Sequence, residues 1–285
     1  MNTIYIDTHC HLNFNRFSKT RDQVIREAQH QGVGICIVPG TDITSSQKAL
    51  AIADKYSHIF AAVGIHPHHI YSSQQSTTTS QRSIAHRLRS DMEELEKIII
   101  HPKVVAVGEI GLDRHEYEAT KYENYAINEE FMQAQKEYFR SQIRLATKYK
   151  KALIIHNRET KKELLTILSE EWAESMRFRT VFHCSEPDEE LLTYAQSQNI
   201  FIGIDGDVTY GGEKAQFAQK VPLELLVLET DSPFLLPEPL RAQKLYPNTP
   251  SNIPLIAQYI SNIKGIAGEE VARVTTENAK KLFSL

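Results

Sequence analysis

Two histidines separated by one residue, His9 and His11, follow a short apolar run near the start of the 285-residue sequence. If that run is a strand, residues i and i+2 point to the same side, and two imidazoles can reach one metal ion. Four more ligand-type residues each close an apolar run of the same kind: Glu109 after VVAVG, His156 after ALII, His183 after TVF and Asp231 after LLVLET. Each has an ordinary explanation when taken alone. Glu109 fits a helix-facing ion pair, His156 or His183 a hydrogen-bonded core imidazole, and Asp231 an N-cap before Pro233. Six such residues at equivalent strand ends point instead to one shared rim.

That mixture of donors suits a pair of divalent cations. Imidazole favours zinc, manganese, iron or nickel, and a carboxylate can bridge two cations roughly 3.5–4 Å apart. Glu109, in the middle of the set, is the natural bridge. Such a pair acidifies a shared water, aligns it with a scissile phosphorus or carbonyl and stabilises the developing oxyanion. Asp231 can both ligate and orient that water as a general base, which makes Glu109 and Asp231 the candidate catalytic residues.

Around the six stand candidate substrate contacts. Arg158 offers a planar fork suited to phosphate, with a surface salt bridge as the alternative. His66 in GIHPHH is either a substrate contact or a turn histidine beside Pro67. Asp113, with Arg114 in EIGLDRH, either contacts substrate or buttresses Glu109, and Glu229 can fix a neighbouring ligand by an outer hydrogen bond. Asn157 and Glu159 flank Arg158. Cys10 and Cys184 adjoin ligand candidates, but alternation turns them to the opposite side and predicts small core residues.

Positioning such a rim requires a parallel sheet. Strands are predicted near Thr3–Asp7, Gly34–Val38, Phe60–Gly64, Val104–Glu109, Ala152–Ile155, Thr180–Phe182, Ile200–Ile204 and Leu225–Leu228. Several are apolar at nearly every position, as strands covered on both faces are. Segments such as RDQVIREAQHQG and KKELLTILSEEWAE place apolar residues three and four apart, the spacing of helices packed on a sheet. Eight such units predict an α/β fold, a TIM-type (β/α)₈ barrel forming a single domain over residues 1–285, whose active site gathers at the C-terminal ends of the strands. An open doubly wound sheet has the same periodicity and remains compatible. Two polar stretches, at about residues 72–83 and 115–128, read as inserted loops able to overhang the mouth, the first preceding a helix around Ile84–Ile100.

Composition bounds the partners. A formal net charge of -4 argues against holding nucleic acid by a broad basic surface. It leaves a nuclease open, because metals in the site would supply the positive charge. Three widely spaced cysteines read as free thiols. No basic leader and no run of about 18 apolar residues is present, so a soluble, unprocessed, cytoplasmic protein without membrane association is expected.

At the residues named above, the sequence resembles the TatD family of metal-dependent deoxyribonucleases, within the amidohydrolase-type barrels. The resemblance runs from IDTHCHLN through GIHPHH, VGEIGLDRH, IIHNRE and VFHC to LETDSPFLLP, essentially the whole chain. It implies a (β/α)₈ barrel whose two divalent cations, Mg, Mn or Zn, are held by His9, His11, Glu109, His156, His183 and Asp231. It also implies phosphodiester hydrolysis of DNA as a 3′–5′ exonuclease acting on single strands or 3′ ends. Two places depart from the family pattern. Glu186 and Asp188 add acidic groups near the mouth after His183, and Arg241 and Asn248 are spaced more widely than usual. The alternatives are a small-molecule amide, ester or lactone hydrolase, and a nuclease-like subunit that works with a protein partner. Glu109, where many amide and lactone hydrolases carry a lysine, favours the nuclease branch.

Overall fold

The computed structural model describes residues 5–71, 81–118, 120, 122 and 125–285. Eight parallel strands form one sheet in sequential order: β1 Tyr5–Asp7, β2 Val33–Pro39, β3 Ile59–Val63, β4 Val104–Asp113, β5 Ala152–Arg158, β6 Thr180–Phe182, β7 Phe201–Ile204 and β8 Leu226–Leu228. Between and after them lie α1 Arg21–His30, α2 Ile43–Lys55, α3 Pro67–Ile70, α4 Gln81–Ile99, α5 Glu129–Tyr149, α6 Lys161–Glu171, α7 Glu189–Gln198, α8 Gly212–Lys220, α9 Ile253–Lys264 and α10 Gly268–Phe283. A doubly wound sheet reverses its strand order partway across; this one never does, and the strands make a nearly closed (β/α)₈ barrel.

One apolar cluster draws on every strand: Ile6, Ile37, Ala62, Ala106, Ile154, Val181, Phe201 and Val227. Only the lumen of a barrel brings eight strands together, so these residues are its filling. Ala62, Ala106 and Ala152 share this cluster with the Phe201 ring. Leu282 and Phe283, at the end of α10, join the same cluster. Asn278 on that helix donates to the carbonyls of Leu223 and Leu226, both 2.8 Å away, which sets α10 at the N-terminal end of β8, away from the predicted rim. The outward strand faces and the helices build the second, larger core. Asp42, Asn128 and Asp188 cap α2, α5 and α7 by accepting backbone N–H groups.

Loops rather than strand pairing close the seam between β1 and β8. Thr8 N–H donates to Leu228 O at 3.0 Å, Asp231 N–H to His9 O at 2.9 Å and His11 N–H to Ser232 O at 2.8 Å. Beneath them the buried Asp7 carboxylate accepts from His9 N–H and Thr230 N–H, each at 3.1 Å, and from the Thr230 hydroxyl at 2.6 Å. One side chain therefore clamps the HxH segment to the ETD segment.

The structure differs from the sequence expectations in informative places. β4 runs four residues past Glu109, and β5 runs three past Ile155. Glu109 therefore lies within a strand rather than at its end. Val107 pairs with Leu153 and Ile110 with Ile155, so Gly108 and Glu109 together oppose Ile154 alone. This is a β-bulge, which re-aims a side chain that regular alternation would place otherwise. A Cβ on Gly108 would lie 2.5 Å from the Ile154 Cβ, so the bulge needs glycine there. Helix α4 begins at Gln81, inside the stretch read as a loop; the rest of that stretch, 72–80, lies outside the described residues. The described residues of the 115–128 insertion have no regular structure but are packed. Tyr117, Tyr122 and Tyr125 surround His68 of α3, with ring centroids 4.7–5.2 Å away. No helix among the described residues is long and apolar enough to cross a membrane.

The clamp makes a prediction. Asp7→Ala leaves two buried backbone donors, His9 N–H and Thr230 N–H, without an acceptor, while the Thr230 hydroxyl retains the Ser232 hydroxyl at 3.0 Å. At roughly 1–3 kcal/mol for each orphaned group the loss of stability should be at least about 2 kcal/mol, read by urea denaturation.

Candidate metal centre

The bulge delivers the Glu109 carboxylate to the place where the other strand ends converge. Its backbone N–H is satisfied by Gly40 O at 2.9 Å, and the residue is buried. The two carboxylate oxygens face different partners. Oε2 lies 3.5 Å from His9 Nε2 and 3.7 Å from His11 Nε2. Oε1 lies 3.1 Å from His156 Nδ1, 3.5 Å from His66 Nε2 and 3.7 Å from His183 Nε2. His9 and His11 bring their Nε2 atoms within 3.2 Å of one another, as the i, i+2 spacing requires. Asp231, at a left-handed φ of 48°, turns its Oδ1 to 3.4 Å from His11, 3.8 Å from His9 and 3.9 Å from His183. All six residues predicted as ligands are thus brought together.

An outer layer fixes the rings. Glu229, fully buried, accepts from His183 Nδ1 at 2.9 Å and from Cys184 N–H at 2.6 Å. Asp113 accepts at Oδ2 from His156 Nε2 (2.9 Å) and the Tyr117 hydroxyl (2.7 Å), and at Oδ1 from His115 N–H (2.8 Å). Asp113 is completely buried and absent from the cavity wall, so the substrate contact expected of it gives way to orientation of His156. Arg114 pairs with Glu129 and Glu163 and does not buttress Glu109.

The remaining candidates divide. His66, Asn157, Arg158 and Glu186 line a cavity of about 550 Å³ over the cluster, together with the six except His9. His66 caps α3 through Nδ1, which accepts His68 N–H at 3.1 Å; its Nε2 then carries the hydrogen of the neutral ring and is a donor toward the site. Arg158 reaches the Tyr117 hydroxyl at 3.3 Å and stacks over that ring, so the 115–128 insertion does contribute a wall. Glu159 turns away to His115. Asp188 caps α7 and pairs with Lys161, so of the two extra acidic residues only Glu186 reaches the mouth. Asn248 is buried and donates to the carbonyls of Thr230 and Leu235, holding the Asp231 turn, while Arg241 lies over Tyr210. Cys10 is buried as expected, but Cys184 is not a core residue. Its φ of 46° breaks the alternation and puts it on the cavity wall.

Lys214 and Asp207, 2.9 Å apart on that wall, were not anticipated. The strand-end criterion that singled out the six applies equally to Asp205 and Asp207 after β7, and would have found them.

The electrostatics test whether metal fits. Burial alone would push the Glu109 carboxyl up; His66, His156 and His9 more than reverse this and hold it well below the ordinary range. Burial likewise disfavours charged His156 and His183, yet Asp113 and Glu109 draw the first up to about 9, and Glu229, with Glu109 and Asp231, draws the second up to about 10. Burial and the neighbouring His183 push His9 the other way, down to about 4. The cluster thus keeps its carboxylates ionised while only two of its imidazoles, His156 and His183, are pulled toward protonation, and it can take up further positive charge. Divalent cations supply that charge, and nitrogen and oxygen donors suit them.

The family model described as "TatD related DNase" matches residues 6–284. The "uncharacterized metal-dependent hydrolase YabD" of Bacillus subtilis is 32% identical over 281 residues, covering 98% of each chain. The "3′-5′ ssDNA/RNA exonuclease TatD" of Escherichia coli K12 is 30% identical over 283 residues, again 98% of each. The crystal structure of YjjV, a TatD homologue from the same organism, superposes with a TM-score of 0.81 over 100% of both chains at 26% identity.

The outer layer is testable through a glycine. A Cβ at Gly203 would come within 2.5 Å of both Glu229 carboxylate oxygens. Gly203→Ala should therefore displace Glu229 from His183 and weaken metal affinity about 10–100-fold, the usual effect of losing an outer-shell partner, read by elemental analysis after dialysis against chelator.

Proposed function

Since the chain belongs to the TatD-related DNase family and is a metal-dependent hydrolase, we propose that its reaction is phosphodiester hydrolysis of DNA. It removes nucleotides from 3′ ends of single strands, with two divalent cations (Mg, Mn or Zn) as cofactors. The observation that carries the two-cation reading is the division of Glu109: Oε2 faces His9 and His11, while Oε1 faces His156 and His183. His9, His11 and Asp231 would hold one cation, His156 and His183 the other, with Glu109 shared. When bound, the pair supplies Lewis-acid stabilisation of the phosphate charge and an acidified water.

The chain's own groups do the rest. Asp231 is the carboxylate nearer the cavity, with a side chain 15% exposed against 6% for Glu109. It is therefore placed to take the proton of the attacking water. Arg158, whose hydrogen-bonding neighbour Tyr117 is neutral, keeps its fork for a phosphate oxygen, and His66 Nε2–H donates to another. The bond broken is P–O3′, releasing a 5′-mononucleotide and leaving a new 3′ end in register for the next turn. The free thiols of Cys10, Cys36 and Cys184 support a cytoplasmic setting.

Metal-stripped protein should leave labelled single-stranded DNA intact and regain cleavage with Mg²⁺, Mn²⁺ or Zn²⁺. Glu109→Ala should lose metal at one or both positions and nearly all turnover; full activity at normal metal content would sink the assignment. Arg158→Ala should weaken DNA binding roughly tenfold with metal content unchanged, and an unaltered affinity would remove it from the phosphate site. Two bound metals with no DNA cleavage by the wild type would turn the search to small amides and lactones.

A further inference from the structure

Beside the metal cavity runs a larger groove of about 840 Å³, lined by Phe14, Arg16, Asp42, Lys48, Phe234 and Tyr246 among others. Phe14 and Phe234 belong to both cavities. An aromatic ridge joins the two: His11 stacks on Phe14 at 4.2 Å between centroids, and Phe14 meets Phe234 edge-on at 6.2 Å. Phe234 is 51% exposed and Tyr246 52%, unusual for rings of that size. Arg16 and Lys48 line the groove without a carboxylate partner among the described residues. The one acid there, Asp42, is occupied in capping α2 through Ser45 N–H at 2.7 Å.

Exposed rings beside unpaired cations are the two components of a single-strand binding track, the rings taking base faces and the cations backbone phosphates. Resting on the nuclease reading above, we propose that this groove carries the strand leading away from the scissile phosphate. The terminal nucleotide enters the metal cavity over the Phe14–Phe234 ridge. The preceding bases stack on Phe234 and Tyr246, and their phosphates meet Arg16 and Lys48. The enzyme then grips several nucleotides rather than one terminal phosphodiester.

The test compares three substrates on manganese-loaded protein: an oligothymidylate of eight nucleotides, a thymidylate dinucleotide and bis(p-nitrophenyl) phosphate. Arg16 and Lys48, together with Tyr246, line the groove but not the metal cavity. Arg16→Ala/Lys48→Ala and Tyr246→Ala should each raise KM for the octamer roughly tenfold, the scale of one stacked base or a pair of phosphate contacts. The octamer's salt dependence should flatten by about 0.7 in log–log slope for each cation removed. Kinetics on the small diester and the dinucleotide should stay at wild-type values, which also certifies the fold of the variants. An octamer KM that is unchanged, or that rises in step with the small diester, overturns the groove while leaving the nuclease reading intact. Failure of the wild type to cleave any of the three removes the nuclease reading itself and the groove's occupant with it.

Discussion

Four of the carboxylates buried or nearly so at one end of this barrel, Glu109, Asp113, Glu229 and Asp231, form one cluster, and the arrangement around them is governed by the cost of removing ionised groups from water. An isolated buried carboxylate costs several kcal/mol even after relaxation. Each here is faced by imidazole. The bulge at Gly108–Glu109, the left-handed turn at Asp231 and the missing side chain at Gly203 are departures from regular strand geometry that allow those contacts.

The carboxylates divide by depth. Asp113 and Glu229 have no exposure and are fixed by backbone N–H and hydroxyl donors as well as by histidine: His115 N–H and Tyr117 for the first, Cys184 N–H and Thr8 for the second. Glu109 and Asp231 have oxygens directed only at imidazole nitrogens and at the cavity. The deeper pair sets ring orientation and leaves the opposite ring nitrogens of His156 and His183 turned toward Glu109. The inner surface is thereby organised before anything binds, which spares the reorganisation that would otherwise accompany catalysis.

Much of this was legible because a barrel strand is a short code. Eight apolar runs with helical spacing between them specified the fold class, and the polar residue that ended a run was a ligand candidate because of where parallel strands open. Periodicity does not encode the interruptions. The same alternation rule that paired His9 with His11 misplaced Cys184, where one positive φ reverses the direction of the chain, and stopped β4 at Glu109, where two residues share one partner. Asp113 reads in sequence like any polar residue at the mouth. Only the three-dimensional placement of His156 Nε2 against it separates an orienting group from a substrate contact.

The charge balance of the mouth bears on how an acidic chain could hold a polyanion. Outside the ligand cluster, two cationic side chains stand on the cavity wall, Arg158 and Lys214, against Glu186 and Asp207. Lys214 is 2.9 Å from Asp207 and 3.9 Å from Asp205, so its charge is already matched by the protein. Arg158 hydrogen-bonds a neutral phenol and retains its charge for a ligand. With a chain net charge of -4 there is no broad positive field to gather a polyanion from a distance. On the proposed nuclease reading, attraction at the scissile phosphate then falls mainly to the divalent cations that the buried carboxylates and imidazoles would hold. On that account the ionised cluster that would hold the metal would also make substrate binding depend on it.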